Sequence, residues 1–189
     1  MGDRKPLLLL DVDGPLNPFR ATKPPGYTMH KQPSMGQTFN VWLNHDHGRV
    51  LLDFADQHDV ELVWCTTWEH DANVCIGPHI GLPELPVIEF GFTAHQWKFN
   101  AVLEYAAGRP LAWLDDDFPL FPKERAWFDE QRGDTPTLLH LISPSVGLTA
   151  QDLHTVAAWK YSLGGANATS LTPKRVQDAT GWTARKGDG

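Results

Sequence analysis

A run of four leucines at residues 7–10 constrains the fold more than any other feature of this sequence. A strand with one face in solvent alternates apolar and polar residues, whereas a strand covered on both faces is mainly apolar throughout. Residues 7–12, 60–65, 87–90, 111–114 and 137–142 are five short stretches of the second kind. They predict five strands of a sheet that is buried on both faces.

Amphipathic segments lie between these stretches and predict helices. The predicted helices run from a cap at Asp46 to about Gln57, over residues 97–107, within residues 120–131, and from Thr149 to about Tyr161. Asp46 can accept backbone hydrogen bonds at a helix start, and Thr149 to Asp152 resembles a capping box. Alternating strands and helices predict an α/β fold with a central parallel sheet of five strands.

The chain length of 189 residues suits one domain with a substantial core, which we assign to residues 1–163. Residues 14–46 are rich in proline and glycine and form an insertion after the first strand, in which residues 27–30 and 38–43 can pair as a hairpin flap. Residues 164–189 are mostly small and polar, and predict a flexible C-terminal tail.

Composition excludes several classes of function. The net charge of −7 argues against broad binding along duplex nucleic acid, which needs a basic face. The apolar run at residues 7–10 is too short for a signal peptide or a membrane span. Cys65 and Cys75 lack the spacing of a zinc site and predict reduced thiols in a cytoplasmic protein.

Polar residues follow the predicted strands at several points. Asp11 and Asp13 end the first strand, Thr66 and Thr67 end the second, and three aspartates end the fourth, at positions 115, 116 and 117. Lys98 lies at the start of the helix that leads into the fourth strand. In a parallel sheet, ligands bind beyond the carboxyl ends of the strands, so these side chains are expected to meet at one edge.

Asp11 and Asp13 point to the same side of an extended chain, because side chains alternate with a period of two. Two neighbouring carboxylates repel each other unless a cation lies between them or one of them holds a proton. With the acids at 115–117 nearby, hard oxygen ligands favour Mg²⁺, which commonly bridges to a phosphate. Lys98 and a threonine hydroxyl can hold the remaining phosphate oxygens.

This set of residues resembles the haloacid dehalogenase (HAD) superfamily of phosphohydrolases. The resemblance rests on four motifs in order, "LLLLDVDGPLNP", "LVWCTTW", "WKFN" and "LAWLDDD", which span residues 7–117. It implies a Rossmann-like three-layer sandwich and a Mg²⁺-dependent phosphatase. It also implies that Asp11 is the nucleophile that forms a phosphoaspartyl intermediate, and that Asp13 is the general acid and then the general base.

The same resemblance implies the remaining ligands. Thr66 and Lys98 bind the transferring phosphoryl group, and Asp116 with Asp115 holds Mg²⁺ beside Asp11 and the backbone carbonyl of Asp13. The choice among Asp115, Asp116 and Asp117 stays open, as does the choice between Thr66 and Thr67. Residues 14–46 and 68–97 leave no room for a folded cap domain. A capless member has an open site that suits a phosphorylated macromolecule, such as a phosphoprotein or a nucleic acid end.

Three other functions remain as alternatives: a phosphotransferase of the same superfamily, a 2-haloacid dehalogenase, and a non-catalytic interaction module. A dehalogenase lacks the second acid of the first motif, whereas Asp13 is present here. A calcium loop is excluded, because Leu16 and Thr22 stand where that loop needs glycine and glutamate. The sequence does not predict the oligomeric state.

Several other residues invite a functional interpretation but are most simply structural. His45 and His47 have metal-like spacing, yet we expect surface histidines at a helix start. Trp64 and Trp113 lie inside strands and are expected in the core, and Trp68 is expected to pack rather than to stack on a substrate. The insertion also carries a local basic group that could steer a phosphorylated substrate: Arg20, Lys23, His30 and Lys31.

Overall fold

A computed structural model describes residues 4–34, 36–91 and 98–164 of the chain. Its strands are β1 (Leu7–Leu10), β2 (Thr28–Ser34), β3 (Gln37–Leu43), β4 (Glu61–Trp64), β5 (Leu111–Asp115) and β6 (Thr137–Leu141). Its α-helices are α1 (His47–His58), α2 (Gly77–Ile80), α3 (Lys98–Ala106), α4 (Pro122–Arg132) and α5 (Ala150–Leu163). A π-helical turn at Ala72–Ile76 precedes α2, and a 3₁₀ turn at Phe118–Leu120 precedes α4.

The central sheet is parallel and has the strand order β4-β1-β5-β6. Leu8 of β1 lies opposite Leu62 on one side and Ala112 on the other, so β1 is an inner strand. All four leucines of β1 are fully buried. The prediction of an α/β fold with a parallel sheet is confirmed, and the uniform burial explains why β1 lacks polar alternation.

Over the described residues the sheet has four strands, and the prediction of a fifth strand at residues 87–90 is wrong. Val87 forms only an isolated bridge with Trp64 at the edge of β4. The ladder stops there because Phe90 N–H donates to Oε1 of Glu69 instead, and the carbonyl of Thr66 accepts from Glu69 N–H. The N–H of Phe90 and the carbonyl of Thr66 therefore form other hydrogen bonds and do not extend the pairing with β4.

Two apolar layers cover the two faces of the sheet. Leu8 and Leu10 belong to a cluster that includes residues of α1 and α5, whereas Leu7 and Leu9 belong to a second cluster with residues of α3 and α4. Successive leucines thus serve opposite layers, as the period of a strand requires. The result is the expected three-layer sandwich, with the helices on both faces of the sheet.

The insertion after β1 contains the predicted hairpin, which is longer than expected and pairs β2 with β3 in antiparallel register. Val41 and Leu43 of β3 join the core cluster, and Trp42 N–H donates to Oδ1 of Asn17 at 2.9 Å. The hairpin is therefore attached both to the core and to the loop that follows β1. No cap domain interrupts the described part of the chain.

The helix-start predictions have mixed outcomes. Thr149 and Asp152 form the predicted capping box of α5. Asp46 precedes α1, but its side chain makes no capping hydrogen bond, so that part of the prediction is wrong. The predicted tail lies outside the described residues from position 165 onward. Among the described helices, none is long and apolar enough to cross a membrane.

Candidate active site

The ends of β1 and β5 bring the acidic residues together. These strands are neighbours with Leu10 opposite Leu114, and the N–H of Asp11 donates to the carbonyl of Leu114 at 3.1 Å. Asp11 therefore follows β1 directly beside Asp115, the last residue of β5. Residues 104 positions apart meet because both strands end at the same edge of the sheet.

Gly14 allows the chain to turn away from this edge. Its φ is +85°, a left-handed conformation that residues with a Cβ rarely adopt. A Cβ at this position would also lie 2.6 Å from Cγ of Asp116, which is a severe overlap. The glycine thus leaves the space that the carboxylate of Asp116 occupies beside the β1 loop.

Lys98, the first described residue of α3, is 1% exposed and lies between two carboxylates. Its Nζ donates to Oδ2 of Asp11 at 2.7 Å and to Oδ2 of Asp115 at 2.8 Å. Burial lowers the pKa of Lys98, but the charges of Asp11 and Asp115 outweigh it and raise that pKa above its usual value. Lys98 is therefore a buried, charged ammonium group at the sheet edge.

Asp115 has hydrogen-bond donors inside the protein on both of its carboxylate oxygens. Besides Lys98, its Oδ2 accepts from the indole of Trp113 at 3.1 Å, and its Oδ1 accepts from Asp117 N–H at 2.9 Å. Burial, followed by the charge of Asp11, raises the pKa of Asp115, and the charge and hydrogen bond of Lys98 oppose that shift. The contacts of Asp115 suit a residue that holds Lys98 in place.

Four carboxylates can converge on one cation at this edge. Oxygens of Asp11, Asp115, Asp116 and Asp117 all lie within 4.8 Å of one another. Burial, and then the charges of Asp117 and Asp11, raise the pKa of Asp116 to about 6, and burial also raises the pKa of Asp117. Four crowded oxygen donors of like charge, with Lys98 as one counter-charge, form a donor set that fits a hard divalent cation such as Mg²⁺.

Asp13 is half-buried, and each of its carboxylate oxygens has a hydrogen-bond donor. Nδ2 of Asn17 donates to Oδ1 at 2.7 Å, and Nε1 of Trp68 donates to Oδ2 at 2.9 Å. Burial raises the pKa of Asp13, and the two hydrogen bonds oppose that shift. Asp13 does not belong to the four-carboxylate group, so the two acids of the first motif have different surroundings.

A cavity of about 330 Å³ opens onto these groups. Its lining residues in the described part of the chain are Asp11, Asp13, Phe19, Thr67, Lys98, Asp116 and Asp117. The wall is therefore mostly acidic, with Lys98 in its floor and one aromatic ring. A phosphoryl group in this cavity could approach Asp11, Asp13 and Lys98 together.

Comparison with known proteins places the chain in a family. Residues 7–153 match a family described as the HAD domain in Swiss Army Knife RNA repair proteins, and this match covers most of the chain. The chain belongs to this HAD family. The HAD domain is also similar to a solved structure described as a HAD family hydrolase from Streptomyces avermitilis MA-4680. That similarity has 14% identity and a TM-score of 0.40, over 84% of this chain and 92% of the other. No curated protein matches the sequence.

The HAD domain brings most of the sequence-predicted site residues to one place. Asp11, Asp13, Lys98 and Asp116 line the cavity, whereas Asp115 lies behind it as a partner of Lys98. The role of Thr66 stays a prediction. Thr66 is fully buried, with Oγ1 3.4 Å from Trp68 N, while the neighbouring Thr67 lines the cavity.

Sequence reasoning missed Asn17 and Phe19 as site residues. Asn17 is buried and joins Asp13 to the hairpin through its two amide ends. The available signal was an asparagine four residues after the second acid, in a loop with prolines on both sides. Phe19 leaves the same loop with its ring exposed, and a large apolar side chain between Pro18 and Arg20 in a polar insertion was the corresponding signal.

The remaining structural expectations have clear outcomes. Trp64 and Trp113 are fully buried, as expected, and Trp68 is 6% exposed and packs edge-on against Phe39. The expectation of a surface His47 is wrong, because its side chain is fully buried and its ring lies edge-on to Tyr27. This burial makes His47 part of the packing between the insertion and α1.

Proposed function

We propose that this HAD domain is a Mg²⁺-dependent phosphatase that hydrolyses a phosphate monoester through a phosphoaspartyl intermediate on Asp11. One observation carries the proposal: Asp11 shares a single cluster with three other carboxylates and a buried, charged lysine. A carboxylate is ionised at neutral pH and needs no base to attack phosphorus, but it must approach a group of like charge. Lys98 supplies one positive charge for this approach, and a divalent cation held by the carboxylates would supply the remainder.

In the proposed first step, a carboxylate oxygen of Asp11 forms a bond to phosphorus while the bond from phosphorus to the ester oxygen breaks. Asp13, as the carboxylic acid, gives its proton to the departing alkoxide. Asp13 then takes a proton from water as the water oxygen attacks phosphorus and the bond from phosphorus to the Asp11 oxygen breaks, which releases inorganic phosphate and restores the Asp11 carboxylate. Its separate environment, with Asn17 and Trp68 as donors, supports a role for Asp13 distinct from that of Asp11.

We assign the metal to Asp11 and Asp116, with Asp117 as a neighbouring carboxylate and with the backbone carbonyl of Asp13 as a further ligand. Bound Mg²⁺ would offset the charge of the phosphoryl group and of the transition state. Asp115 is assigned to Lys98, because Asp115 is fully buried, is not among the residues that line the cavity, and accepts hydrogen bonds from Lys98, Trp113 and Asp117. Lys98 stabilises the charge on the transferring phosphoryl oxygens.

For the substrate, we propose a phosphorylated RNA end. The family to which the chain belongs is described by its occurrence in RNA repair proteins, which favours RNA over a phosphoprotein. The open cavity and the absence of a cap in the described residues also suit an extended substrate, because few walls surround a small ester. An acidic protein can still bind one strand end when the contacts are local.

The test combines a substrate screen with trapping of the intermediate. The screen uses oligoribonucleotides with a 3′- or 5′-phosphate, phosphopeptides and sugar phosphates, each with Mg²⁺ and with excess chelator. We expect Mg²⁺-dependent release of phosphate, fastest from an oligoribonucleotide. Full activity in chelator would contradict the metal assignment, and transfer of phosphate to an added alcohol in preference to water would identify a phosphotransferase instead.

Rapid quench of Asp13→Asn with a labelled aryl phosphate tests the covalent step. An aryl leaving group needs little help from an acid, so the first step proceeds, whereas the second step lacks its base. Label is therefore expected to accumulate on Asp11. An Asp11→Asn variant serves as the control and should retain no label. Absence of label in Asp13→Asn, with equal losses on alkyl and aryl esters, would refute the division of labour between the two acids.

A further inference from the structure

Among the described residues that line the cavity, Phe19 is the apolar side chain, and it has no role in the phosphoryl chemistry. The ring of Phe19 is 47% exposed, yet it lines the same cavity as Asp11, Asp13 and Lys98. The other lining side chains are carboxylates, an ammonium and a hydroxyl, which suit a phosphate and a metal. An exposed apolar ring at this place is available to the remainder of the substrate.

The loop that carries Phe19 is held by hydrogen bonds and neighbouring buried residues. Phe19 N–H donates to the carbonyl of Asn17 at 2.7 Å, and Arg20 N–H donates to the carbonyl of Pro144 at 3.0 Å. Asn17 is buried and also bonds to Asp13 and to the hairpin. The ring is thus attached to a braced backbone and stands in a fixed relation to the general acid, so ordering it on binding costs little entropy.

Phenylalanine offers a flat π surface and no hydrogen-bonding group, so it can stack on a planar ring but cannot read its edges. Stacking on an aromatic side chain is the common way to bind single-stranded nucleic acid without regard to sequence. A phosphoserine or a sugar phosphate presents no such ring. The chemistry of Phe19 therefore favours a nucleobase beside the scissile phosphate.

Arg20 adds the second part of a nucleotide site. Its Cζ lies 5.6 Å from the centroid of the Phe19 ring, and its side chain is exposed. A strand whose base stacks on Phe19 has its adjoining phosphodiester within reach of this guanidinium. Lys98 and the metal serve the scissile phosphate, so a second phosphate near the acidic wall needs a cation of its own, and a guanidinium suits it.

We propose that Phe19 stacks on the base next to the scissile phosphate and that Arg20 binds the adjoining phosphodiester of the same strand. This inference deepens the proposed function and rests on it for the identity of the scissile group. It specifies a substrate with an intact terminal base and at least one internal phosphate. Single-stranded RNA ends meet this requirement, whereas phosphopeptides and sugar phosphates do not.

The decisive experiment compares the wild type with Phe19→Leu on substrates that have or lack the terminal base. The full-length chain hydrolyses an oligoribonucleotide with a terminal phosphate, the same strand with an abasic terminal residue, and glycerol phosphate. Base–aromatic stacking is typically worth about 5- to 150-fold. We expect Phe19→Leu to raise KM for the intact strand by about that factor. The same substitution should change KM little for the abasic strand and for glycerol phosphate. Phe19→Trp should restore the low KM, and Tyr161→Leu, an exposed aromatic residue of α5, is the matched control.

Arg20→Gln tests the second contact through salt dependence. The slope of log KM against log salt concentration should fall by roughly 0.7 for the intact strand, as expected for one lost phosphate contact on a single strand. A mononucleotide with only the scissile phosphate should show no such change. Lys5→Gln removes an equal charge before β1, at the opposite edge of the sheet, and should leave both slopes unchanged.

Some results would overturn this inference while leaving the proposed function intact. Equal effects of Phe19→Leu on the intact and abasic strands would exclude stacking. Faster hydrolysis of a phosphotyrosyl peptide, with the same sensitivity to Phe19→Leu, would assign the ring to a different class of substrate. If instead no ester is hydrolysed with Mg²⁺, the proposed function fails, and anisotropy then tests stacking separately. Dephosphorylated oligoadenylate should bind to the wild type more tightly than oligouridylate does. The two oligonucleotides should bind to Phe19→Leu with equal affinity.

Discussion

The indole of Trp68 donates a hydrogen bond of 2.9 Å to Oδ2 of Asp13, across 55 residues of sequence. Asn17 donates to the other oxygen at 2.7 Å, so both sides of this carboxyl group are held. A general acid works only when its proton lies in line with the leaving group, and a carboxyl with two fixed donors has little freedom to rotate. Trp68 is thus a positioning residue for the proposed acid.

Replacing Trp68 with phenylalanine removes this hydrogen bond and keeps an aromatic ring in the core. We expect kcat on an alkyl phosphate to fall by about tenfold, the effect of losing one hydrogen bond to a charged group, with little change in KM. An activated aryl phosphate should lose much less, because its leaving group needs less protonation. Trp159→Phe is the matched control, and equal losses on both esters would show that Trp68 only supports packing.

The three consecutive aspartates are expected to respond differently to conversion to asparagine. Asp116→Asn should weaken Mg²⁺ binding by calorimetry more than the other two changes, since its carboxylate lines the cavity and lies against the β1 loop at Gly14. The metal-free protein should gain stability, because one of several repelling charges is lost. A larger loss of Mg²⁺ affinity in Asp117→Asn than in Asp116→Asn would show that the metal assignment is displaced by one residue.

Asp115→Asn is expected to act through Lys98 instead. The substitution removes one of two carboxylates that hold a buried ammonium, and breaking a buried ion pair typically costs about 3–5 kcal/mol. The midpoint of denaturant unfolding without metal should therefore fall clearly in this variant. An unchanged midpoint, with Mg²⁺ affinity lost, would make Asp115 a metal ligand rather than the partner of Lys98.

Gly14→Ala is expected to disturb the site by two effects that can be separated. The positive φ alone costs roughly 1–2 kcal/mol for a residue with a Cβ. The new methyl group also meets the carboxylate of Asp116, so Mg²⁺ affinity should fall as well. Gly26→Ala has a similar φ of +80° and only an ordinary contact with Asn44, at 3.7 Å, so it should lose stability without losing Mg²⁺ affinity. Equal Mg²⁺ affinities in the two variants would exclude the proposed clash.

The burial of His47 is expected to make the free energy of unfolding depend on pH. Burial lowers its pKa to about 4 in the folded protein, against about 6.5 in the unfolded chain, with the charge of Asp46 opposing this. The unfolded state therefore binds the proton more readily, so the stabilising contribution is complete above pH 6.5 and is lost as pH falls towards 4. Between pH 7 and pH 5 the loss is about 2 kcal/mol. Between pH 7 and pH 5, the free energy of unfolding of His47→Gln should fall by about 2 kcal/mol less than that of the wild type, as measured by denaturant unfolding. The same pH dependence in both proteins would contradict the prediction.

Much of the site was predictable because its residues follow buried strands. A strand covered on both faces consists of consecutive apolar residues, so the end of each apolar run predicts where β1 and β5 end. The acids directly after those ends are then placed at one edge by the topology of a parallel sheet alone. The positions of Asp11, Asp13, Lys98 and Asp116 follow from this argument, together with the order of the motifs.

The sequence by itself thus determined the α/β layout, the parallel sheet and the edge at which the acids gather, since all three depend on short-range apolar patterns. Only the tertiary structure decided that residues 87–90 form a bridge, that His47 is buried, and that Trp68 and Asn17 hold Asp13. Hydrogen bonds between distant segments depend on how the layers pack, and no local periodicity records them. The same reason separates Asp115 from Asp116: their neighbours in sequence are alike, and only their partners across the fold differ.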